Sequence, residues 1–192
     1  MFPAVRAAEQ KSYFTQEGDV VFSSSSVGQG GAIITATRSP YSHCGIVFED
    51  KGKMMVLEAV QPVGVVTLKE FISRSEPGTF MARRLKAPVT LDRYRAARAW
   101  AMSQIGKNYD PRFLWDDKNL YCSELVWKAY QQAGIELYVL RSFKNYQLDH
   151  PEVQKLINER FGNVQSMPKN EKIVAPSDLA NSSLLEEVPQ NR

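Results

Sequence analysis

The chain has 192 residues and a formal charge of +3, room for one ordinary domain with a tail. Its hydrophobic share of 43% and charged share of 23% describe a folded chain, not a disordered one. The two cysteines and two histidines are too few for a disulfide framework or a zinc set, and no apolar run of about 18 residues could span a membrane.

The basic residues are densest at positions 83–86 and 93–98, where they alternate with apolar ones as on the outer side of a strand and a helix. That pattern argues against a nucleic-acid face. The first ten residues lack the apolar centre of a signal peptide. The chain as it stands therefore reads as cytoplasmic, or as an exported protein whose leader has been removed.

In chain order, Gly18-Asp19-Val20-Val21-Phe22 reads as a turn and a short strand, followed by a Ser/Gly loop over 23–31 and a short helix over about 31–37. The loop lacks the lysine and spacing of a phosphate-binding loop. Residues 42–48 and 54–60 are apolar runs around Glu49-Asp50-Lys51-Gly52-Lys53, the signal of a β-hairpin with glycine in its turn. A strand over 63–67, a short helix over 68–73 and a strand over 79–85 follow, punctuated by Pro62 and Pro77.

From Thr90, a suitable N-cap, the period becomes helical, with Tyr94, Ala97, Ala101 and Ile105 on one face and Gly106 as the stop. A second amphipathic helix is predicted from Cys122 to Ala133, closed by Gly134, and a third over 151–161 with Pro151 in its first turn. Beyond Met167 the chain is polar, with Ile173-Val174 and Leu184-Leu185 as its main apolar pairs. There is no internal repeat. Strands come mostly first and helices later, the order of an α+β fold with an antiparallel sheet packed against helices. One domain over 1–192 is expected, with loosely ordered stretches at 1–16 and about 175–192.

Three residues carry the chemistry. Cys122 opens its helix, where unpaired backbone N–H groups and the helix dipole favour an anion, lower a thiol's pKa and can hold a developing oxyanion. The bland alternative is a small buried hydrophobe. His43 lies inside an apolar strand, an odd place for a solvated imidazole, though a core histidine bonded to backbone would also sit there. Glu58 lies on the partner strand. Folding the hairpin about its centre near Asp50 and Lys51 makes His43 and Glu58 direct cross-strand partners, with Cβ atoms about 5 Å apart. The carboxylate can then fix the imidazole tautomer so that its other nitrogen faces a thiol. The same alternation puts Cys44 on the opposite face with Ile46 and Phe48, as core. His150, at a helix start beside Pro151, reads as surface. No metal set emerges, and no cofactor is called for.

Gly18-Asp19-Val20-Val21-Phe22, Tyr41-Ser42-His43-Cys44-Gly45, Leu57-Glu58-Ala59-Val60 and Tyr121-Cys122-Ser123-Glu124-Leu125-Val126-Trp127, in that order, resemble the YiiX/YaeF-like proteins of the permuted papain-like branch of the NlpC/P60 superfamily. The resemblance runs from about residue 17 to 174. Histidine and acid before cysteine is the circularly permuted order. The resemblance implies a permuted papain-like fold and a cysteine hydrolase acting on an amide or ester, with Cys122 as nucleophile, His43 as base and Glu58 as orienting acid. Tyr41 and Tyr121 are its candidates for the oxyanion site, and Asn108-Tyr109-Asp110 matches a segment expected to give structural support. Cys44 departs from the other small residue often found there.

A small-molecule or peptide-like substrate, such as a cell-wall fragment, is expected. Acyl transfer of the lecithin–retinol acyltransferase-like type and a non-catalytic binding module are the alternatives. Assembly as a homodimer is left open. Cleft walls are expected from residues 23–31, 62–66 and 108–120.

Overall fold

The computed structural model describes residues 13–189. Its elements are β1 (Val20–Ser23), α1 (Gly30–Thr37), β2 (His43–Asp50), β3 (Lys53–Glu58), β4 (Gly64–Thr67), α2 (Leu68–Ser73), β5 (Met81–Leu85), α3 (Leu91–Ser103), α4 (Cys122–Gln132), β6 (Arg141–Ser142), α5 (Pro151–Phe161), β7 (Lys172–Ile173), α6 (Pro176–Ala180) and β8 (Leu185–Glu187). Six strands form one sheet in the order β4-β3-β2-β1-β5-β8, and β6 pairs with β7 apart from it. Every ladder is antiparallel. This is the α+β arrangement that the order of strands and helices implies.

The period of two along the strands sorts side chains onto the two faces. Val20, Phe22 and Cys44 pack with Val126, Trp127 and Tyr130 of α4 and Leu179 of α6. Val21, Val47 and Val56 pack on the other face with Phe71 of α2 and with Phe80. The helix ends follow their local signals. Thr67 Oγ1 accepts the Glu70 N–H at 3.1 Å while Glu70 Oε2 accepts the Thr67 N–H at 2.8 Å, a reciprocal cap on α2. Thr90 caps α3 as expected, but that helix ends at Ser103 and leaves Ile105 exposed beyond it.

The hairpin is displaced from the expected centre. Asp50 pairs with Lys53 and Ile46 with Leu57, and the two turn residues, Lys51 and Gly52, have φ of 49° and 77°. A two-residue turn with both φ positive matches the twist of the flanking strands, and glycine in its second position makes it accessible. Continued by one pair, this register sets Glu58 opposite Gly45, not opposite His43.

Two further expectations change. The helix opened by Cys122 has the expected amphipathic pattern, but its polar side is covered too: Cys122–Tyr130 are all buried, Glu124 and Lys128 included, because α4 is sandwiched between the sheet and later segments. The stretch expected to be loose from about 175 onward instead supplies α6, which is buried throughout, and β8, which closes the sheet against β5. Its few apolar residues suffice as anchors: Leu179 and Leu185 are fully buried. Of the N-terminal stretch 1–16, residues 1–12 lie outside the described residues, and Tyr13 is buried against Phe80.

Candidate active site

Cys122 is the first residue of α4, and Leu125 N–H bonds Tyr121 C=O at 3.0 Å as the first helical hydrogen bond. The N–H groups before it have no partner within the helix. Glu124 Oε2 takes the Tyr121 N–H at 3.4 Å, and the Ser123 hydroxyl donates to Val174 C=O at 2.7 Å. The start of the helix is thus fixed on both sides of the thiol.

His43 is the first residue of β2. Alternation gives it the α2 face of the sheet, where its ring stacks on Phe71 at 5.6 Å and 25°. Cys122 arrives on the opposite face. The two come together because both lie at the end of their elements, where the sheet no longer separates them, and each pulls on the other's protonation. His43 Nε2 is 2.5 Å from Glu58 Oε2, which leaves Nδ1 for the sulfur.

Glu58 reaches the ring diagonally, two positions along from its facing residue. A Cβ on Gly45 would stand 2.5 Å from Val56 Cγ1, 2.9 Å from Leu57 O and 3.4 Å from Glu58 Cβ. The absence of a side chain there lets the two strands close up and the carboxylate cross to His43. Arg74, at the end of α2, holds the other oxygen, Glu58 Oε1.

Cys44 contributes more than core volume. Odd-numbered N–H groups of β2 turn toward β1, as Val47 N–H to Asp19 C=O shows. Those of even residues turn toward β3, which ends at Glu58 before it can pair with Cys44. The freed Cys44 N–H and the Cys44 thiol both act on Cys122 to stabilise its thiolate.

The electrostatics follow from these contacts. The Cys44 hydrogen bond, then that of His43 with its charge, hold the Cys122 thiol well below its ordinary range although burial acts the other way. Burial disfavours the His43 proton, but the hydrogen bond and charge of Cys122, then of Glu58, raise it to about 9. Burial would likewise raise Glu58, and His43 and then Arg74 bring it below the usual carboxylate value. The site therefore favours a thiolate–imidazolium pair backed by a carboxylate.

A cavity of about 90 Å³ adjoins Cys122, walled by apolar side chains that include Ile33, Phe113, Phe143, Leu156 and Met167, with Arg160 its one charged lining residue. Of the expected cleft walls only 108–120 contributes. The rest comes from α1, α5 and residues 143–148 and 167–176, segments whose role the local pattern did not reveal.

Of the two tyrosines proposed for the oxyanion, the Tyr41 hydroxyl donates to Met81 Sδ at 3.3 Å, while Tyr121 lines the cavity with Cys122 and its hydroxyl accepts the Val174 N–H at 3.3 Å. Tyr109, expected only as support, lines the cavity with Cys122. Its hydroxyl accepts from Gln29 Nε2 at 2.7 Å, which leaves its own proton to give. Burial, then the Cys122 charge, keep that proton on. His150 caps α5 at the surface through Nδ1, 3.4 Å from the Glu152 N–H.

An antiparallel sheet packed on a buried helix that begins with cysteine, reached in the order histidine before cysteine, defines a circularly permuted papain-like cysteine hydrolase. Residues 14–189 match the family described as "Permuted papain-like amidase enzyme, YaeF/YiiX, C92 family", and the chain belongs to it. The chain is 36% identical over 162 residues to the uncharacterized protein YiiX of Escherichia coli (strain K12), covering 84% of this chain and 79% of that one. The crystal structure of metalloprotein yiiX from Escherichia coli O157:H7 superposes with a TM-score of 0.85 at 35% identity, over 92% of this chain and 97% of that one. No helix among the described residues is long and apolar enough to cross a membrane.

Proposed function

We propose that the chain works as a single-domain hydrolase in which Cys122, His43 and Glu58 cleave an amide bond through an acyl-enzyme. The observation that carries this is the 2.5 Å contact of His43 Nε2 with Glu58 Oε2, together with the pull of the His43 imidazole and the Cys122 thiol on each other's protonation. His43 holds the proton of the thiol, and the Cys122 thiolate attacks the carbonyl carbon. As the C–S bond forms, the carbonyl electron pair moves to oxygen, which the unpaired N–H groups of the helix start and the Tyr109 hydroxyl receive in this reading. The imidazolium gives its proton to the leaving amine as the C–N bond breaks. Water then attacks the thioester, His43 takes its proton, and the thiolate departs with release of the acid.

The superfamily's peptide-like or cell-wall-derived amides are the first substrate class. The apolar cavity beside Cys122 favours a second reading in which the acyl group is itself apolar and is carried to water or to an alcohol or amine acceptor. One relative is described as a metalloprotein, but among the described residues of this chain no three His, Cys, Asp or Glu side chains gather to hold an ion, and both Glu58 oxygens are already engaged.

The test uses p-nitroanilides and p-nitrophenyl esters with acyl groups from acetyl to decanoyl. Wild-type protein is expected to give a product burst and an acyl adduct on the Cys122 peptide by mass spectrometry. C122A is expected to give neither. Undiminished turnover by C122A would remove the mechanism, and rates that fall with acyl length would remove the apolar-acyl reading alone.

A further inference from the structure

Arg74 closes α2, 16 residues beyond Glu58 in the chain, and its side chain is 48% exposed. Seen alone it is a surface arginine at a helix end. Its guanidinium nevertheless reaches inward to Glu58 Oε1 and lies over the Phe71 ring at 5.8 Å, the same ring on which His43 stacks at 5.6 Å. The Glu58 side chain it meets is fully buried.

We propose that Arg74 is a positioning residue of the active site, which keeps Glu58 ionised and aimed at His43 through the whole reaction. This rests on the Cys122–His43–Glu58 reading. His43 changes charge as it takes and gives a proton. Each time it becomes neutral, Glu58 loses one of its two cationic partners, and a buried carboxylate without a cation takes up a proton. A protonated Glu58 would donate to Nε2 instead of accepting from it. The ring would then carry its proton on Nδ1, against the sulfur, and could not act as a base there. Arginine does not deprotonate in proteins, so its charge persists when that of His43 does not. Phe71 contacts both the imidazole and the guanidinium.

The experiment is the pH dependence of Cys122 alkylation by iodoacetamide, followed on the Cys122 peptide, in wild type, R74Q, R74M, R74K and H43Q, with thermal melts alongside. In wild type the rate is expected to rise well below the range of a free thiol, about 8.5. R74Q and R74M are expected to move that rise upward by about one pH unit with little change in the plateau, and R74K to restore most of it. A merely structural arginine would lower the melting temperature or the plateau and leave the position of the rise unchanged, and that result overturns the proposal. Superposition of the R74Q and R74M profiles on wild type, while H43Q shifts the rise, also overturns it and leaves the triad standing. A wild-type Cys122 that titrates like a free thiol and ignores H43Q removes the triad and Arg74 together.

Discussion

Glu58 and Glu124 are both glutamates whose side chains have no exposed surface, and each lies against a cation. Their carboxyls shift in opposite directions: Glu58 falls below the usual range, while burial pushes Glu124 up to about 8 against the pull of Lys128. Burial is common to both, so the partners make the difference. Each Glu58 oxygen has its own cationic hydrogen-bond donor, His43 on one and Arg74 on the other. Lys128 stands 2.8 Å from Glu124 Oε1, but that oxygen has no hydrogen bond in acceptable geometry. The ammonium is shared with Asp117 at 2.9 Å and the Asp116 carbonyl at 2.8 Å. Depth in the protein does not decide a carboxylate's charge; donors committed to it do.

The same substitution at both positions should therefore give unequal results. E58Q keeps the shape but replaces an acceptor-only group with an amide that can donate, so the His43 tautomer is no longer fixed. A loss of about 10²- to 10⁴-fold in kcat is expected, with the melting temperature changed far less than the rate. E124Q should stay within about threefold of wild type, since a glutamine can still accept the Tyr121 N–H that Glu124 holds. Equal losses at the two sites, measured on one chromogenic substrate, would erase the distinction.

Gly45 sharpens the contrast from the side of packing, because Glu58 gains its reach from the missing side chain opposite. In G45A the new methyl meets Val56 Cγ1 at 2.5 Å and backbone Leu57 O at 2.9 Å, and β2 and β3 must part. The expected cost is about 1–3 kcal/mol in urea unfolding, together with lost activity as the carboxylate is drawn from the ring. Wild-type stability in G45A would mean that the strands have slack, and that the close approach is not what delivers Glu58.

The three proposed residues stand out in the sequence because their types are out of place: an imidazole and a carboxylate in apolar strands, a cysteine at a helix start. The hairpin centre was misplaced, with Glu58 facing Gly45 instead of His43, yet the inference of a shared face survived. A shift of two positions preserves the face, where a shift of one would have reversed it. Asp50-Lys51-Gly52-Lys53 carries its signal in the glycine, and only backbone angles reveal that Lys51 also adopts positive φ. Arg74 could not be read, since nothing local marks an arginine at a helix end as the partner of a carboxylate two elements earlier. Cys44 was rightly placed on the face opposite His43. What alternation could not supply was that α4 brings Cys122 onto that same face. The C-terminal strand was missed because a single buried leucine and three ladder pairs make β8, too short a pattern to show a period.

The dependence of stability on pH separates the two carboxylates most cleanly, because its sign differs between them. The folded-state value of Glu124 is raised from 4.5 to about 8, so the folded protein keeps a proton that the unfolded chain releases. Its contribution to stability is full below the unfolded value and is lost as pH rises through the folded one. The groups facing it, Lys128 and Asp110, pull in opposite directions without removing the shift. Glu58, with a lowered value, contributes stability above its unfolded value that is lost as pH falls through the folded one. Urea unfolding at about pH 3, 4, 5, 6.5 and 8 should show that E124Q flattens the decline of stability toward alkaline pH by up to about 1.4 kcal/mol per pH unit. E58Q should leave that slope alone and instead flatten the decline on the acid side. If E124Q keeps the wild-type slope, Lys128 holds Glu124 ionised after all, and committed donors would not be what distinguishes the two sites.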